Sequence, residues 1–153
     1  MENTLSEFGY VVNVDCAVVR DGEYLLIRRA DGEDHAAGLL GLPGGKLEAP
    51  PVESDVLERT ARRDLREEVG VAVGDVTLLA GSTFETDAGT PCLNVLAVCE
   101  HESGAGEVRA PEEVAAVEWC SASALADRED VPGFTREDVE CVEAFRAGNR
   151  AEN

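Results

Sequence analysis

The sequence predicts a mixed α/β domain, and three observations carry that prediction. Two apolar runs at residues 10–19 and 23–29, rich in valine and leucine, are joined by Asp21-Gly22, which reads as a β-hairpin. Residues 54–69 place apolar side chains at helical spacing and stop at Gly70. Three more strand-like runs follow, and the chain closes on a helical pattern at 134–147. At 153 residues, with no internal repeat and no dividing linker, residues 1–153 are expected to form one domain around one core, with about 1–7 and 149–153 as loose termini.

Taken in order, residues 30–38 form a polar loop leading into Leu39-Leu40-Gly41-Leu42-Pro43-Gly44-Gly45, whose paired glycines allow an unusual backbone course. The helix at 54–69 has Ser54 or Asp55 as its expected N-cap and Gly70 as its stop. Strands are expected at 76–86 and 92–100, joined around Asp87-Ala88-Gly89-Thr90. Residues 101–108 read as a flexible Gly/Glu loop, 114–120 as a short strand and 121–126 as a helical turn. The final helix, at 134–147, has Thr135 as its expected N-cap.

The central helix holds the chemistry. At about 100° per residue, Leu57, Ala61, Leu65 and Val69 form its apolar stripe. Glu68 falls inside that stripe, Asp64 sits at its margin, and Glu67 lies further round beside Val56 and Thr60. Arg59, Arg62, Arg63 and Arg66 project from the other side. Asp64, Glu67 and Glu68 are spaced so that three carboxylates converge near one point. Two of them turn toward the protein body, where an unpaired carboxylate is costly, and their charge opposes the helix dipole. A hard cation offsets both costs, and an all-oxygen donor set suits Mg2+ or Mn2+ working with substrate phosphates.

Composition narrows the classes. The net charge is -19, with a single lysine, Lys46, beside twelve arginines. Diffuse acidity of this size opposes nucleic-acid binding, which needs a basic footprint. It matches a salt-adapted protein whose self-repulsion is screened at high ionic strength. No apolar run is long enough for a transmembrane helix, and the N-terminus lacks a signal pattern. The expected location is cytoplasmic, with no membrane partner. Five cysteines (Cys16, Cys92, Cys99, Cys120, Cys141) without C-x-x-C spacing read as core residues, not as a zinc site or disulfide framework.

The run from Arg63 to Val71, with Gly44-Gly45 upstream, resembles the signature of the Nudix hydrolases, G-x5-E-x7-R-E-U-x-E-E-x-G-U, where U is a bulky aliphatic. The second half matches with Asp64 in place of a glutamate. In the first half, Asp55 stands where the first glutamate falls, and the loop at 49–54 carries about four extra residues, which a surface loop absorbs cheaply. Its prolines, Pro50 and Pro51, should stiffen it.

The resemblance implies a Nudix-type α/β/α sandwich with a mixed sheet. It also implies metal held by the Gly44 carbonyl, Asp64, Glu67 and Glu68, and hydrolysis of a diphosphate linkage in a nucleoside diphosphate derivative. Arg63 would orient a carboxylate of the cluster, with Glu67 as natural partner. Base duty would fall to Asp64, Glu67 or Glu113. Glu48 matches an acidic position often found in the box.

Weaker signals complete the expected site. Glu113, six residues before Trp119, or its neighbour Glu112, matches a late carboxylate that the family brings to the cluster. Arg28 and Arg29 end the second strand, where arginine could meet phosphate oxygens or simply be solvated. Lys46 follows the glycine turn. His35 is a base contact, a catalytic group or a surface histidine, and Trp119 reads as core. The SQPWPFPxS extension of NADH-type enzymes is absent, Pro91 is too late for the ADP-ribose pattern, and no tyrosine marks a diadenosine-polyphosphate enzyme. A homodimer is a compatible state. Two rivals share the fold: a catalytically silent nucleotide-ligand sensor, and an isopentenyl-diphosphate isomerase, which would want a histidine pair near the N-terminal strands that the sequence lacks.

Overall fold

The computed structural model describes residues 9–33, 35–48 and 52–152, with side chains to residue 149. Strands β1 (Val11–Arg20) and β2 (Glu23–Arg29) form the expected hairpin. Its turn residues Asp21 and Gly22 have φ values of 50° and 80°, the left-handed pair that a two-residue hairpin turn needs. The strands pair only beside that turn, Val19 opposite Tyr24 and Arg20 opposite Glu23. Beyond it they splay apart, and each takes other partners.

β1 runs parallel to β6 (Pro91–Ser103) and takes β4 (Gly44–Lys46) antiparallel on its other side. β2 pairs antiparallel with β7 (Val114–Ser121) and with the short β3 (Leu40–Gly41). β5 (Ala72–Glu85) lies antiparallel along β6 at the outer edge. The result is a seven-stranded mixed sheet, β3-β2-β1-β6-β5, with β4 on β1 and β7 on β2.

Alternation along these strands loads both faces. Val14, Cys16 and Val18 of β1, Leu25 and Ile27 of β2, and Ala97 and Cys99 of β6 pack against Ala61, Leu65 and Val69 of helix α1 (Val56–Val69). Ala17 and Val19, Tyr24 and Leu26, and Leu96 and Val98 face the other way. They meet Leu125 of α2 (Ala122–Ala126) and Val139 and Val142 of α3 (Gly133–Glu152). This is the expected α/β/α sandwich. Full burial of a side chain such as Leu65 contributes roughly 1.5–3 kcal/mol. Cys16, Cys92, Cys99 and Cys120 are buried, Cys141 is half-buried, and all five are free thiols.

Several boundaries differ from the sequence reading. Helix α1 begins at Val56, with Asp55 at the expected N-cap position but in a left-handed conformation (φ 56°) and with no capping hydrogen bond from its side chain. Thr135 is not an N-cap. It lies inside α3, buried, and donates its hydroxyl proton to the Leu40 carbonyl 2.9 Å away, tying the helix to β3. Helix α3 runs on to Glu152, so the expected loose end at 149–153 is helical over its described part. β5 starts at Ala72 and β6 continues to Ser103, because their long antiparallel ladder outlasts the apolar pattern. The expected loose terminus at 1–7, and Ala49, Pro50 and Pro51 of the inserted loop, fall outside the described residues.

Residues 101–108 are not a free loop. The end of helix α1 leaves carbonyls without helical partners, and this segment supplies their donors. Glu107 N–H meets the Val69 carbonyl at 2.9 Å, and Arg109 N–H meets that of Glu68 at 2.9 Å. Trp119 fastens the segment from below, its indole N–H donating to the Ala105 carbonyl at 2.7 Å. The Trp119 ring is half-buried at the rim of the α1-side core and carries the Arg20 guanidinium 3.8 Å above it. The turn that presents Glu112 and Glu113 is thereby locked to the C-terminal end of the acid-bearing helix.

Candidate active site

The splayed end of the hairpin opens a cavity of about 500 Å3 between β1, β2, β4, α1 and the turn before β7. Asp64, Glu67, Glu68, Glu112 and Glu113 line it, together with Arg29, Lys46 and Arg63. Helical spacing does bring the three box carboxylates to one wall.

Their environments differ sharply. Asp64 is 7% exposed, and one carboxylate oxygen, Oδ1, accepts from Arg63 Nε and Nη2 at 3.3 and 3.2 Å. Its other oxygen, Oδ2, is buried and has no hydrogen-bond partner. A Cβ placed on Gly45 would stand 2.4 Å from that oxygen, so any side chain there would have to displace it. Burial raises the Asp64 pKa, against the opposing charge and hydrogen bonds of Arg63, and the charges of Glu67 and Glu113 raise it further.

Glu68 is half-buried, and its pKa is pushed up to about 9, first by burial, then by a hydrogen bond with Glu113 and by the charges of Asp64, Glu113 and Glu33. Glu67 is exposed. An orphaned buried oxygen, a like-charge contact and all-oxygen donors fit a divalent cation. Among the described residues, no three acids, histidines or cysteines stand close enough together to hold a metal ion as placed.

The NUDIX domain family model matches residues 9–138. The chain belongs to the Nudix family. Membership makes it a Nudix pyrophosphohydrolase. Among solved structures it is similar to a MutT NUDIX hydrolase from Burkholderia pseudomallei, at 31% identity and TM-score 0.71, over 86% of this chain and 97% of that one. The E. coli ORF135 protein is 28% identical with TM-score 0.63, over 91% and 92% of the two chains. The NUDIX domain of Shewanella oneidensis NrtR, complexed with ADP ribose, shares the fold at 21% identity and TM-score 0.71, over 88% of this chain and 87% of that one. No curated protein sequence matches the chain.

Within the Nudix box, Arg63 does not take Glu67 as partner. Its guanidinium lies over Asp64 and reaches the carbonyls of Glu48 and Lys46 at 3.3 and 3.4 Å, bridging α1 to the segment after the glycine turn. Glu67 is exposed on the cavity wall, and the ion pair of Arg63 is with Asp64. Of the two candidate late acids, both line the cavity, and Glu113 is the one that meets Glu68.

Arg28 and Arg29 separate by strand alternation. Arg28 turns to the Gly38 carbonyl and to Asp130, both at 2.9 Å, within an ion network that includes Arg128 and Glu118. Arg29 lines the cavity, its Nε donating to the His35 carbonyl at 2.7 Å. Lys46 is exposed at the rim. The structure does not bring His35 to the carboxylates. Its ring stacks at a tilt on Phe84, centroids 5.2 Å apart, beside Asp87.

His35 instead lines a second cavity of about 440 Å3, which shares Asn13, Arg29 and Lys46 with the first. Sequence reading missed the polar residues of this cavity. Asn13 Nδ2 donates to Asp15 Oδ1 at 2.9 Å and to Asn94 Oδ1 at 2.7 Å. The available signal was Asn13 and Asp15 interrupting a valine-rich strand at alternate positions. Burial lifts the Asp15 pKa to about 6, against the hydrogen bonds from Asn13 and Asn94 and the charge of Arg29. On α3, Asp138 is pushed up to about 7 by burial and then by the charges of Asp15 and Glu137.

A carboxyl with a raised folded pKa supports the fold below its unfolded value and loses that contribution as pH rises through the folded one. For Asp138 the window runs from 3.8 to about 7. Asp138→Asn should therefore match the wild type near pH 4 and exceed it at pH 8 by about 1–2 kcal/mol, the shift being discounted for solvent screening at a half-exposed site. Urea denaturation at both pH values tests this; a gain equal at both would sink it.

Proposed function

We propose that this Nudix protein hydrolyses the diphosphate linkage of a nucleoside diphosphate derivative, with Mg2+ or Mn2+ held by the Gly44 carbonyl, Asp64, Glu67 and Glu68. The observation that carries the reading is the unpartnered, buried Oδ2 of Asp64 on the wall shared with Glu67 and Glu68. A divalent cation bound there supplies charge neutralisation for the diphosphate and activation of water.

The chain's own groups do the rest. Arg63 holds Asp64 in place and ties it to β4. Arg29 and Lys46, which line the same cavity, present positive charge to phosphate oxygens, and arginine does so with directed, charge-assisted hydrogen bonds. Glu67 and Glu113, both exposed on the cavity wall, are the candidates to take the proton of the attacking water. Asp64 has its reach shortened by one methylene and one oxygen engaged by Arg63, which leaves it the weaker base candidate and the better ligand.

Product release from ADP-ribose, nucleoside triphosphates, NADH and diadenosine polyphosphates, with and without Mg2+ or Mn2+, tests the proposal. Metal-dependent cleavage that Glu67→Gln removes from a folded protein supports it. Intact substrates in the presence of saturable, metal-dependent ligand binding would replace it with the sensor reading, for which Asp64 in place of glutamate is the best support.

The same proposal places the protein in the cytoplasm, alone or as a homodimer, in a cell of high internal salt. No helix among the described residues is long and apolar enough to cross a membrane. With a net charge of -19, screening should stabilise the fold, because the Debye length falls to about 3 Å at 1 M salt. The melting temperature should therefore climb steadily from about 0.1 to 2 M KCl. A flat profile would remove salt adaptation.

A further inference from the structure

Residues 104–109 are almost all exposed and none packs into either core, yet they are fastened at several points. Glu107 and Arg109 donate their backbone N–H groups to carbonyls at the end of α1. The Arg109 guanidinium lies on Gly70, where a Cβ would stand 2.7 Å from its Nε, and reaches the Arg66 carbonyl at 3.4 Å. Gly104, at φ 94°, passes so near the end of α1 that a Cβ has no room beside the Gly70 carbonyl.

Trp119 on β7 holds the near end of the segment. Its indole N–H donates to the Ala105 carbonyl at 2.7 Å. Its ring is itself fixed, by Arg20 over one face and by His101 at a right angle with centroids 5.4 Å apart. Downstream, Glu113 and Val114 N–H share the Ala110 carbonyl, and the Glu113 carbonyl accepts from Ala30 N–H at 2.9 Å.

This fastening maintains a contact that repulsion opposes. Glu113 meets Glu68, with the charge of Asp64 close by. Like charges at one place disfavour each other's ionised forms, and on a free loop Glu113 would relax into water. Because the segment buries no apolar side chain in the core, holding Glu113 is the effect its anchors have.

We propose that Trp119 is a positioning residue of the cation site: its bond to the Ala105 carbonyl keeps residues 104–109 on the end of α1, and so keeps the Glu113 carboxylate against Glu68.

The inference rests on the cation reading of that site. A site whose acids are gathered before the metal arrives binds it more tightly, since less ordering is left to the binding step. The ring of Trp119 fills the rim, as a phenylalanine ring would; the indole N–H is what reaches the segment.

Calorimetric titration of the full chain with Mn2+, together with amide hydrogen exchange in chelator, tests the inference without requiring turnover. Trp119→Phe keeps an aromatic ring under Arg20 and removes the donor. Exchange at Glu107 and Arg109 should quicken about 3–10-fold and Mn2+ affinity should fall by a similar factor, the scale of one hydrogen bond. In a Glu113→Gln background the same substitution should leave Mn2+ affinity unchanged, because the charge it misplaces is already gone. Gly106→Ala reaches the segment by another route, its Cβ standing 3.1 Å from Leu25 Cδ1 and 3.5 Å from the Trp119 indole nitrogen. It should reproduce both results, and it gives the answer should Trp119→Phe not fold.

Unchanged exchange, equal Mn2+ affinity in wild type and Trp119→Phe, or an equal loss with and without the Glu113 carboxylate would overturn the positioning role. Its failure is distinguishable from failure of the cation reading. A wild type that binds no Mn2+ removes the cation site and the positioning role with it. A wild type that binds Mn2+ with an affinity indifferent to Trp119 removes the positioning role alone.

Discussion

Glu68→Gln is expected to abolish metal-dependent turnover while leaving the metal-free protein as stable as the wild type or more so. The two effects have one cause. Glu68 lies half-buried in the apolar stripe of α1, against Glu113 and near Asp64. In the absence of a cation that carboxyl is a liability, because burial and like charge both oppose its ionised form. Glutamine keeps its length, removes the charge and can still hydrogen-bond Glu113. The same change deletes an anionic oxygen donor that a hard cation requires. Turnover should fall on the order of 10²–10³-fold, the scale on which one electrostatic group in a reacting site acts.

Activity against Mg2+ concentration, with thermal melts in chelator, reads both halves. A residue retained only to support the fold would behave oppositely, its loss lowering the melting temperature and sparing turnover. Glu67→Gln provides the contrast. Glu67 is exposed, so its replacement should cost activity with little change in metal-free stability. Were Glu68→Gln to melt earlier and keep its rate, the carboxylate would be structural and the metal assignment on α1 would be wrong.

How much of this was legible in the sequence follows from how local each determinant is. The α1 carboxylates were legible because helical spacing alone brings positions three and four apart together, and Gly70 marks the end of the helix with its left-handed φ of 67°. The hairpin was legible because Asp21-Gly22 is a local turn code. Its splaying was not, since β1 leaves β2 for β6 across more than seventy residues of sequence. The splay is what creates both cavities.

Arg63 was mispaired because spacing pointed to Glu67, whereas the carbonyls of Lys46 and Glu48 are brought under the guanidinium only by the β1–β4 ladder. Thr135 was misread for a similar reason. Its partner, Leu40, lies 95 residues away, and a buried threonine looks like a cap until that contact is known. Asp15 and Asp138 are the extreme case, two acids on separate elements that come to line one cavity only when α3 packs on the sheet.

The glycine turn gives the second large prediction, because its two glycines should fail in different ways. A Cβ on Gly44 would lie 1.9 Å from the Val14 carbonyl oxygen and 3.1 Å from the Asp15 Cα, and both are backbone atoms of β1. Backbone within a ladder cannot turn aside, so Gly44→Ala must push β4 off β1 and break the Val14–Gly45 and Asp15–Gly44 pairing. The expected cost is about 2–4 kcal/mol, roughly a 5–15 °C fall in melting temperature.

At Gly45 the obstructing atom is the free oxygen of a side chain, Asp64 Oδ2 at 2.4 Å. A carboxylate can rotate, so Gly45→Ala should fold with a cost of about 1 kcal/mol or less. Its displaced oxygen is the one the metal reading depends on, and turnover should drop by about 10²-fold. Gly32→Ala, where a Cβ meets nothing within 4 Å, is the neutral control. Thermal melts with and without Mg2+, paired with initial rates, separate the three variants. Gly45→Ala keeping full activity would mean that the orientation of Asp64 Oδ2 does not matter to the reaction, and the central observation behind the metal assignment would lose its force.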